Sequence, residues 1–335
     1  MSPLPSREIR LASRPTGVPD ASNFEAAAVE IAAPAAGEVR VRNRWMSVDP
    51  YMRGRMVDRP SYVLPFQLGE PLQGGAIGEV VDSADPAFQP GDLVSSMLGW
   101  REAFVAPASA LQKIEPREGV EPQAHLGVLG MPGLTAWAGL FDVGGLKEGE
   151  TVFVSAAAGA VGSAACQMAK AVGATVIGTA GGPEKVDYLR SIGVDHAIDY
   201  RATPDLKAAL KQAAPKGVHL YFDNVGGDHL EAALDVLRPF GRAALCGMIS
   251  VYNDEAHSPG PSNMPLIVGK RLKLRGFIVF DHLASAPEAT RRSAEWVRDG
   301  RLTASETVVE GIDNAPEAFI RLFTGDKIGK MLVRL

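Results

Sequence analysis

Ala156-Ala157-Ala158-Gly159-Ala160-Val161-Gly162 is a turn with no side chain larger than valine, set between an apolar strand pattern at 151–155 and a helical one running to 172. Small side chains let backbone N–H groups approach a pyrophosphate, and the helix that follows aims the positive end of its dipole at the same anion. The spacing A-x-x-G-x-x-G lacks the first glycine of the usual dinucleotide fingerprint, and a small-residue turn also serves simply to pack a helix closely on a strand. Both readings stay open on this motif alone.

The form of the cofactor is read one strand later. An NAD site places an Asp or Glu about 20 residues past the first glycine, at the end of the second strand, to hold the ribose 2′-hydroxyl. This chain has Thr179-Ala180-Gly181-Gly182-Pro183 there, without a carboxylate, and Lys185 follows at the start of a helix. Tyr200 and Arg201, just past the third strand, can flank the same pocket. A lone lysine commonly does no more than solvate a helix face, but the missing acid and the lysine together point to NADPH. Asp223-Asn224-Val225-Gly226-Gly227 follows the fourth strand. Gly226 and Gly227 keep that rim low enough for a flat ring, and Asn224 offers an amide to a ribose or carboxamide, although a plain turn uses the same residues. Cys246-Gly247 ends the fifth strand and Phe277-Ile278-Val279 the sixth. In a doubly wound sheet all these termini line one crevice.

A catalytic zinc needs Cys, His and carboxylate ligands from convergent places. The six histidines, at 125, 196, 219, 229, 257 and 282, show no paired spacing, and no motif combines Cys with His, so metal-free chemistry is expected. Hydride exchange without a metal draws its electrophilic help from hydrogen bonds or from conjugation, which a C=C bond beside a carbonyl provides. Hydride to the β-carbon leaves an enolate that hydroxyl donors stabilise before the α-carbon is protonated. Two tyrosines are candidates: Tyr252, favoured because it directly follows the fifth strand end, and Tyr51 in Asp49-Pro50-Tyr51-Met52-Arg53-Gly54-Arg55-Met56. Each also suits ordinary packing with a wet hydroxyl. Tyr62, Phe66, Trp100 and Met264 are open between facing a substrate and forming core or rim. A quinone would accept the same hydride, and a non-catalytic NADPH-binding protein would keep the same cradle. Turnover of an enone, of a naphthoquinone or of neither separates these readings.

Two scaffolds must hold these residues. Short strand-like runs at 38–48, 76–82, 92–97 and 102–105 are punctuated by Pro50, Pro60, Pro65, Pro71, Pro86 and Pro90, which exclude long helices and suggest a β-rich barrel or sandwich. From 151 strands at 151–156, 175–180, 196–199, 218–223, 242–246 and 272–279 alternate with helices at 162–172, 184–192, 204–214, 228–237 and 287–299. Such alternation makes a doubly wound parallel sheet with its ligand at the carboxyl ends of the strands. A strand at 307–310, a helix at 315–323 and a last strand at 329–335 are read as rejoining the first domain. The fold class is therefore α/β, with one domain at 1–128 rejoined by 306–335 and a second at 129–305.

A length of 335 residues exceeds what one core organises, and 46% hydrophobic with 22% charged residues is ordinary globular composition. A net charge of −5 and a pI near 5.8 argue against nucleic-acid or anionic-membrane partners. Cys166 and Cys246, far apart in apolar segments, build neither a disulfide framework nor a zinc site, which suits a cytoplasmic location. Residues 1–7 lack the apolar core of a secretory signal. Residues 151–168 are uncharged but switch from strand to helix midway, as a spanning helix would not.

The 49–56 octapeptide, Met131-Pro132-Gly133-Leu134-Thr135-Ala136, the turn from Val154 to Gly162, Glu184-Lys185-Val186, Tyr221-Phe222-Asp223-Asn224-Val225-Gly226-Gly227 and Cys246-Gly247 occur in one order along nearly the full chain. In these it resembles the zinc-independent medium-chain dehydrogenase/reductase superfamily, and within it the branch of prostaglandin reductases, plant 2-alkenal reductases and bacterial curcumin reductase-like proteins. The resemblance implies a GroES-like first domain, a Rossmann second domain, often a homodimer, and NADPH-dependent reduction of α,β-unsaturated aldehydes and ketones. It implies that the stretch from Met131 to Thr135, the Gly-rich turn with Ala158, Gly159, Ala160, Val161 and Gly162, and Lys185, Tyr200, Asn224, Tyr252, Phe277, Ile278 and Val279 line the cofactor. Tyr51 would face the substrate. Zinc-dependent relatives have Gly-His-Glu where this chain reads Gly74-Gly75-Ala76, and a cysteine near 46–48; both ligand positions are lost here. One departure is Lys327-Ile328-Gly329-Lys330, where the family commonly has Asn-x-Gly-Lys touching the cofactor, which leaves the part of the tail open.

Overall fold

Three apolar residues in a row, Val152, Phe153 and Val154, are completely buried, as befits a strand covered on both faces. The computed structural model that contains them describes residues 2–115, 119–254, 258–325 and 327–335; His257 lies outside the described residues. The chain divides into two compact units, Met1–Leu126 with Glu306–Lys327 and Met331–Leu335, and Gly127–Ser305 with Ile328–Lys330.

The first unit begins with β1 (Leu4–Leu11) and β2 (Phe24–Ile31), followed by β3 (Glu38–Ser47), the single turn α1 (Met52–Arg55), β4 (Ala76–Ser83), β5 (Leu93–Ser96), β6 (Ala103–Pro107) and β7 (Gln112–Lys113). The second opens with α2 (Met131–Trp137), which runs on into a π-helical turn at Ala138–Val143. Alternating elements follow: β8 (Thr151–Val154), α3 (Ala160–Ala171), β9 (Thr175–Ala180), α4 (Pro183–Ser191), β10 (His196–Asp199), α5 (Leu206–Ala213), β11 (Val218–Asp223), α6 (Gly227–Val236), β12 (Leu237–Leu245), α7 (Pro265–Lys270), β13 (Lys273–Gly276) and α8 (Ala286–Arg298). The chain ends with β14 (Glu306–Glu310), α9 (Ala315–Thr324) and β15 (Lys330–Arg334).

In the first unit β15 pairs antiparallel with β3, so the tail completes a sheet of order β14-β15-β3-β4-β5-β7, with β6 also on β3. Its core gathers Met46, Met52, Met56, Leu72, Trp100 and Phe319. The β1–β2 hairpin was not anticipated, because β1 buries Ser6 and Glu8 alongside Ile9 and Leu11 and so shows no apolar alternation.

The second unit is a wholly parallel sheet of order β10-β9-β8-β11-β12-β13. Numbered within the unit that order is 3-2-1-4-5-6, the doubly wound arrangement in which the direction of winding reverses between the first and fourth strands. Ligands bind at the carboxyl ends of β8 and β11 in such sheets. The sixth strand stops at Gly276, short of the expected 279. Phe277 N–H makes a last contact with Leu245 O at 3.3 Å, and the chain then enters a 3-10 turn at Val279–Ser285. At the far end of α6, Lys270 Nζ donates to the carbonyls of Leu234, Asp235 and Leu237 at 2.7–2.9 Å, closing a helix C-terminus that would otherwise leave acceptors open.

Candidate active site

The Gly-rich turn is held by its backbone. Ser155 N–H donates to Phe222 O at 3.1 Å, Ala157 N–H to Thr179 O at 2.9 Å and Gly159 N–H to Ala156 O at 3.0 Å. Ala156 adopts φ +46, a left-handed conformation that a small side chain tolerates best. Gly159 is the N-cap of α3 and supplies no side-chain cap, so the first-turn amides of this helix are left for an external anion. A Cβ on Gly162 would lie 2.3 Å from Ala156 O, which fixes glycine where α3 crosses the turn. Close packing of helix on turn is thus built here, and the helix start carries no side-chain cap.

From the tail, Gly329 pairs with Gly159 and donates its N–H to Ala158 O at 2.8 Å. The tail, whose part the sequence leaves open, is thus a further strap on the turn.

At the end of β9, a Cβ on Gly181 would meet Arg201 Nε at 2.8 Å and Tyr200 Oη at 3.0 Å. Both side chains therefore lie across Gly181, and the half-buried Lys185 stands on the first turn of α4. Tyr200 packs edge-on against His229, with ring centroids 5.0 Å apart, and burial pulls the imidazole down to about 4, keeping it neutral. The acid of this corner is Asp199, whose Oδ1 accepts from the amides of Gly182 (2.9 Å) and Arg201 (3.0 Å).

Past β11 a buried network fixes the next turn. Asp223 Oδ1 accepts from Tyr221 Oη (2.6 Å), Val225 N (2.9 Å) and Gly226 N (2.8 Å), while its Oδ2 is buried without a partner among the described residues. Burial pushes the Asp223 carboxyl up, against the downward pull of the Gly226 amide and the Tyr221 hydroxyl. Ser155 Oγ accepts the Asn224 N–H at 2.9 Å, and Asn224 Nδ2 donates to Ser155 O at 2.8 Å. Asn224 is thereby oriented with its nitrogen occupied, which leaves its oxygen as the side for an incoming hydroxyl. The role of Asp223, Ser155 and Tyr221 was missed; the signal available was a carboxylate closing an apolar strand.

At the end of β12 the Asp223 carbonyl accepts the N–H groups of Cys246 (2.8 Å) and Gly247 (3.1 Å). Burial, followed by the Asp223 charge, pushes the Cys246 thiol up to about 12, so it stays protonated and inert as a nucleophile. Tyr252 Oη accepts the Met248 N–H at 3.3 Å and would sit 2.9 Å from a Cβ on Gly247. The structure therefore gathers the termini of β8, β9, β11 and β12 with their named residues at one end of the sheet. Phe277 is buried against Phe222, edge-on at 6.3 Å, and Thr135 Oγ1 donates back to Met131 O at 2.7 Å within α2. Ile278 and Val279 follow Phe277 into the 3-10 turn, and Met264 is exposed just before α7.

In the first unit, burial and then the charge of Asp49 push the Tyr51 phenol well above its usual range. Its hydroxyl is buried, and its proton finds no acceptor among the described residues. Arg55 stands beside it, but Nε donates to Leu64 O (2.9 Å), Nη2 to Gln73 Oε1 (2.8 Å), and the guanidinium lies 4.0 Å from the Phe66 ring centroid. A guanidinium has no lone pair to offer, so the phenol proton has no acceptor. Tyr62 is exposed and Phe66 buried. Trp100, open between substrate and core in the sequence, is completely buried, stacked on Phe24 at 5.9 Å and edge-on to Phe319 at 6.0 Å.

Comparison with known proteins places this geometry. A model described as the N-terminal domain of oxidoreductase matches residues 7–114, and one described as zinc-binding dehydrogenase matches residues 160–297. A putative NADP-dependent oxidoreductase, YfmJ, of Bacillus subtilis (strain 168) is 45% identical over 98% of this chain and 97% of its own. An NADP(+)-dependent 2-alkenal reductase of Nicotiana tabacum is 42% identical over the same shares, 98% and 97%. The chain belongs to the medium-chain dehydrogenase/reductase family, in the branch of the alkenal, curcumin and prostaglandin reductases. Within that family, the crystal structure of CurA in complex with NADPH from Vibrio vulnificus superposes with a TM-score of 0.92 at 39% identity, covering 98% of both chains. Among the described residues no group of three or more His, Cys, Asp or Glu is placed to hold a metal, and no helix is long and apolar enough to cross a membrane.

Proposed function

We propose that this chain is an NADPH-dependent reductase of the C=C bond in α,β-unsaturated aldehydes and ketones. NADPH fits the second unit: an uncapped α3 N-terminus for its pyrophosphate, Gly181-Gly182 in place of the ribose-binding acid, and an amide at Asn224 already oriented. When bound it supplies the hydride, which goes to the β-carbon. The residues of the chain would then manage the oxygen: Tyr51 is assigned the O–H that the carbonyl would accept as it becomes an enolate, and Tyr252 is assigned to the cofactor side. The observation that carries this reading is the buried Tyr51 hydroxyl whose proton has no acceptor in the protein. An NADPH-oxidation assay with a 2-alkenal, an enone and a naphthoquinone, run with a chelator present, tests it. Alkenal and enone turnover unaffected by the chelator is expected; turnover of the quinone alone, or loss of rate on chelation, overturns it.

Metal-free chemistry is supported by the packing at the lost ligand positions. A Cβ on Gly75 would already be 3.2 Å from Leu126, and Ala76 is completely buried. Lys185 is assigned to the 2′-phosphate. Lys185→Ala is expected to weaken NADPH by roughly 10- to 150-fold while NADH changes little, as loss of one charge-assisted contact should; calorimetric titration of both nucleotides reads it, and an unchanged NADPH Kd removes the residue from the pocket. A homodimer is supported by β13, an edge strand, with Val268 and Phe240 exposed on neighbouring elements. Light scattering that gives a monomer mass would refute it. A cytoplasmic location is supported by two free cysteines, Cys166 buried and protonated and Cys246 half-buried; cell fractionation tests it.

A further inference from the structure

Asp199 closes β10 beside the Gly181-Gly182 corner, one strand beyond the position where an acid selects NAD. One of its two carboxylate oxygens is already engaged. Oδ1 receives the N–H groups of Gly182 at 2.9 Å and Arg201 at 3.0 Å, and its own carbonyl accepts from Thr203 Oγ1 at 2.7 Å. These amides, Gly182 first, hold the carboxyl below its usual range, so it stays an acceptor at neutral pH. Tyr200 N–H adds a bond to Ala180 O at 3.1 Å. The two loops after β9 and β10 are thus tied to one oxygen atom, and the Arg201 side chain lies across Gly181, its Nε 2.8 Å from where a Cβ would be.

We propose that Asp199 is a positioning residue for cofactor choice: by clasping the Gly182 and Arg201 amides it holds the Arg201 guanidinium over Gly181, making Arg201 a second determinant for the 2′-phosphate beside Lys185. An acid at the end of this third strand is therefore compatible with NADPH, because its Oδ1 binds the backbone, whereas the acid that selects NAD stands at the end of the second strand. Gly181 follows from the same arrangement, since any side chain there would displace Arg201. Gly182, at φ +98, brings its amide to Asp199 from a conformation that favours glycine.

The inference rests on the NADPH reading, and the experiment separates the two. Calorimetry on the full chain measures Kd for NADPH, NADH and 2′,5′-ADP in wild type, Arg201→Gln, Asp199→Ala and Asp199→Asn, with thermal melts of each. Arg201→Gln is expected to weaken NADPH and 2′,5′-ADP about tenfold and NADH less than about twofold, with a shallower salt dependence, as removal of one phosphate cation should. Asp199→Ala is expected to lose a similar share of the discrimination. Asp199→Asn keeps an acceptor oxygen and sheds a charge near the phosphate, so it should hold NADPH at least as well as wild type to within about threefold. If wild type does not prefer NADPH over NADH, the cofactor reading falls. If wild type does prefer it while Arg201→Gln retains the full preference, or Asp199→Ala weakens both nucleotides alike, or Asp199→Asn fails as badly as Asp199→Ala, the role given to Asp199 and Arg201 is overturned.

Discussion

Tyr51→Phe is expected to slow enone reduction by about 100- to 1000-fold while leaving the protein at least as stable as wild type. The rate effect is that of deleting one preorganised donor to a developing oxyanion. Its stability effect has the opposite sign to most core substitutions. The Tyr51 hydroxyl is buried and its proton meets no acceptor, so removing it relieves an unsatisfied polar group, worth about 1 kcal/mol and a rise in Tm of about 2 °C. Because burial and Asp49 push the phenol up, it remains a donor through the ordinary tyrosine range, and the rate should show no downturn there from its ionisation. Stopped-flow single turnover with a melting curve reads both quantities. Wild-type turnover in the variant would make Tyr51 a packing residue. Tyr252→Phe is the comparison: its hydroxyl already accepts the Met248 N–H, so its loss should cost turnover about tenfold. The geometry thus reverses the order in which the two tyrosines rank by their place in the sequence.

That reversal shows where a sequence stops being legible. The alternation from 151 to 299 could be read because each strand of a doubly wound sheet is a short apolar run and each helix an amphipathic one, so local pattern and global fold agree. Gly162 could be read because close helix-on-strand packing demands it whatever the ligand. Asp199 could not, since the amides it binds lie at 182 and 201 and are brought to one oxygen only by the pairing of β9 with β10. Asp223 was visible as part of a turn, but its network with Ser155 and Tyr221 spans β8 and β11, which meet only in the folded sheet. Trp100 and Phe66 carry no mark that separates a substrate wall from a core; burial alone decides. The β1–β2 hairpin hid for the opposite reason, its buried positions mixing Ser6 and Glu8 with Ile9 and Leu11.

Gly329→Ala should do more damage than its size suggests. Gly329 sits at φ +67, where an L side chain is strained, and a Cβ there would lie 1.9 Å from Ser305 O and 2.5 Å from the Ser305 carbonyl carbon. Those are backbone atoms with no rotamer to move into. The same Ser305 carbonyl accepts the Lys330 N–H at 2.8 Å, so the clash cannot be relieved without breaking a bond that places β15. A cost of about 3–5 kcal/mol is expected, with Tm lower by about 6–10 °C. The functional consequence runs through the other side of Gly329, whose N–H holds Ala158 O and whose backbone pairs with Gly159 at the mouth of α3. Displacing that strap moves the turn assigned to the pyrophosphate, a group common to both nucleotides. NADPH and NADH should therefore weaken together, by at least about tenfold, in contrast to Lys185→Ala and Arg201→Gln, which are expected to act mainly on NADPH. A variant that melts early yet binds both nucleotides as wild type does would confine Gly329 to a structural role; parallel loss of both would make the tail a working part of the cofactor site even without the asparagine that the family commonly carries there.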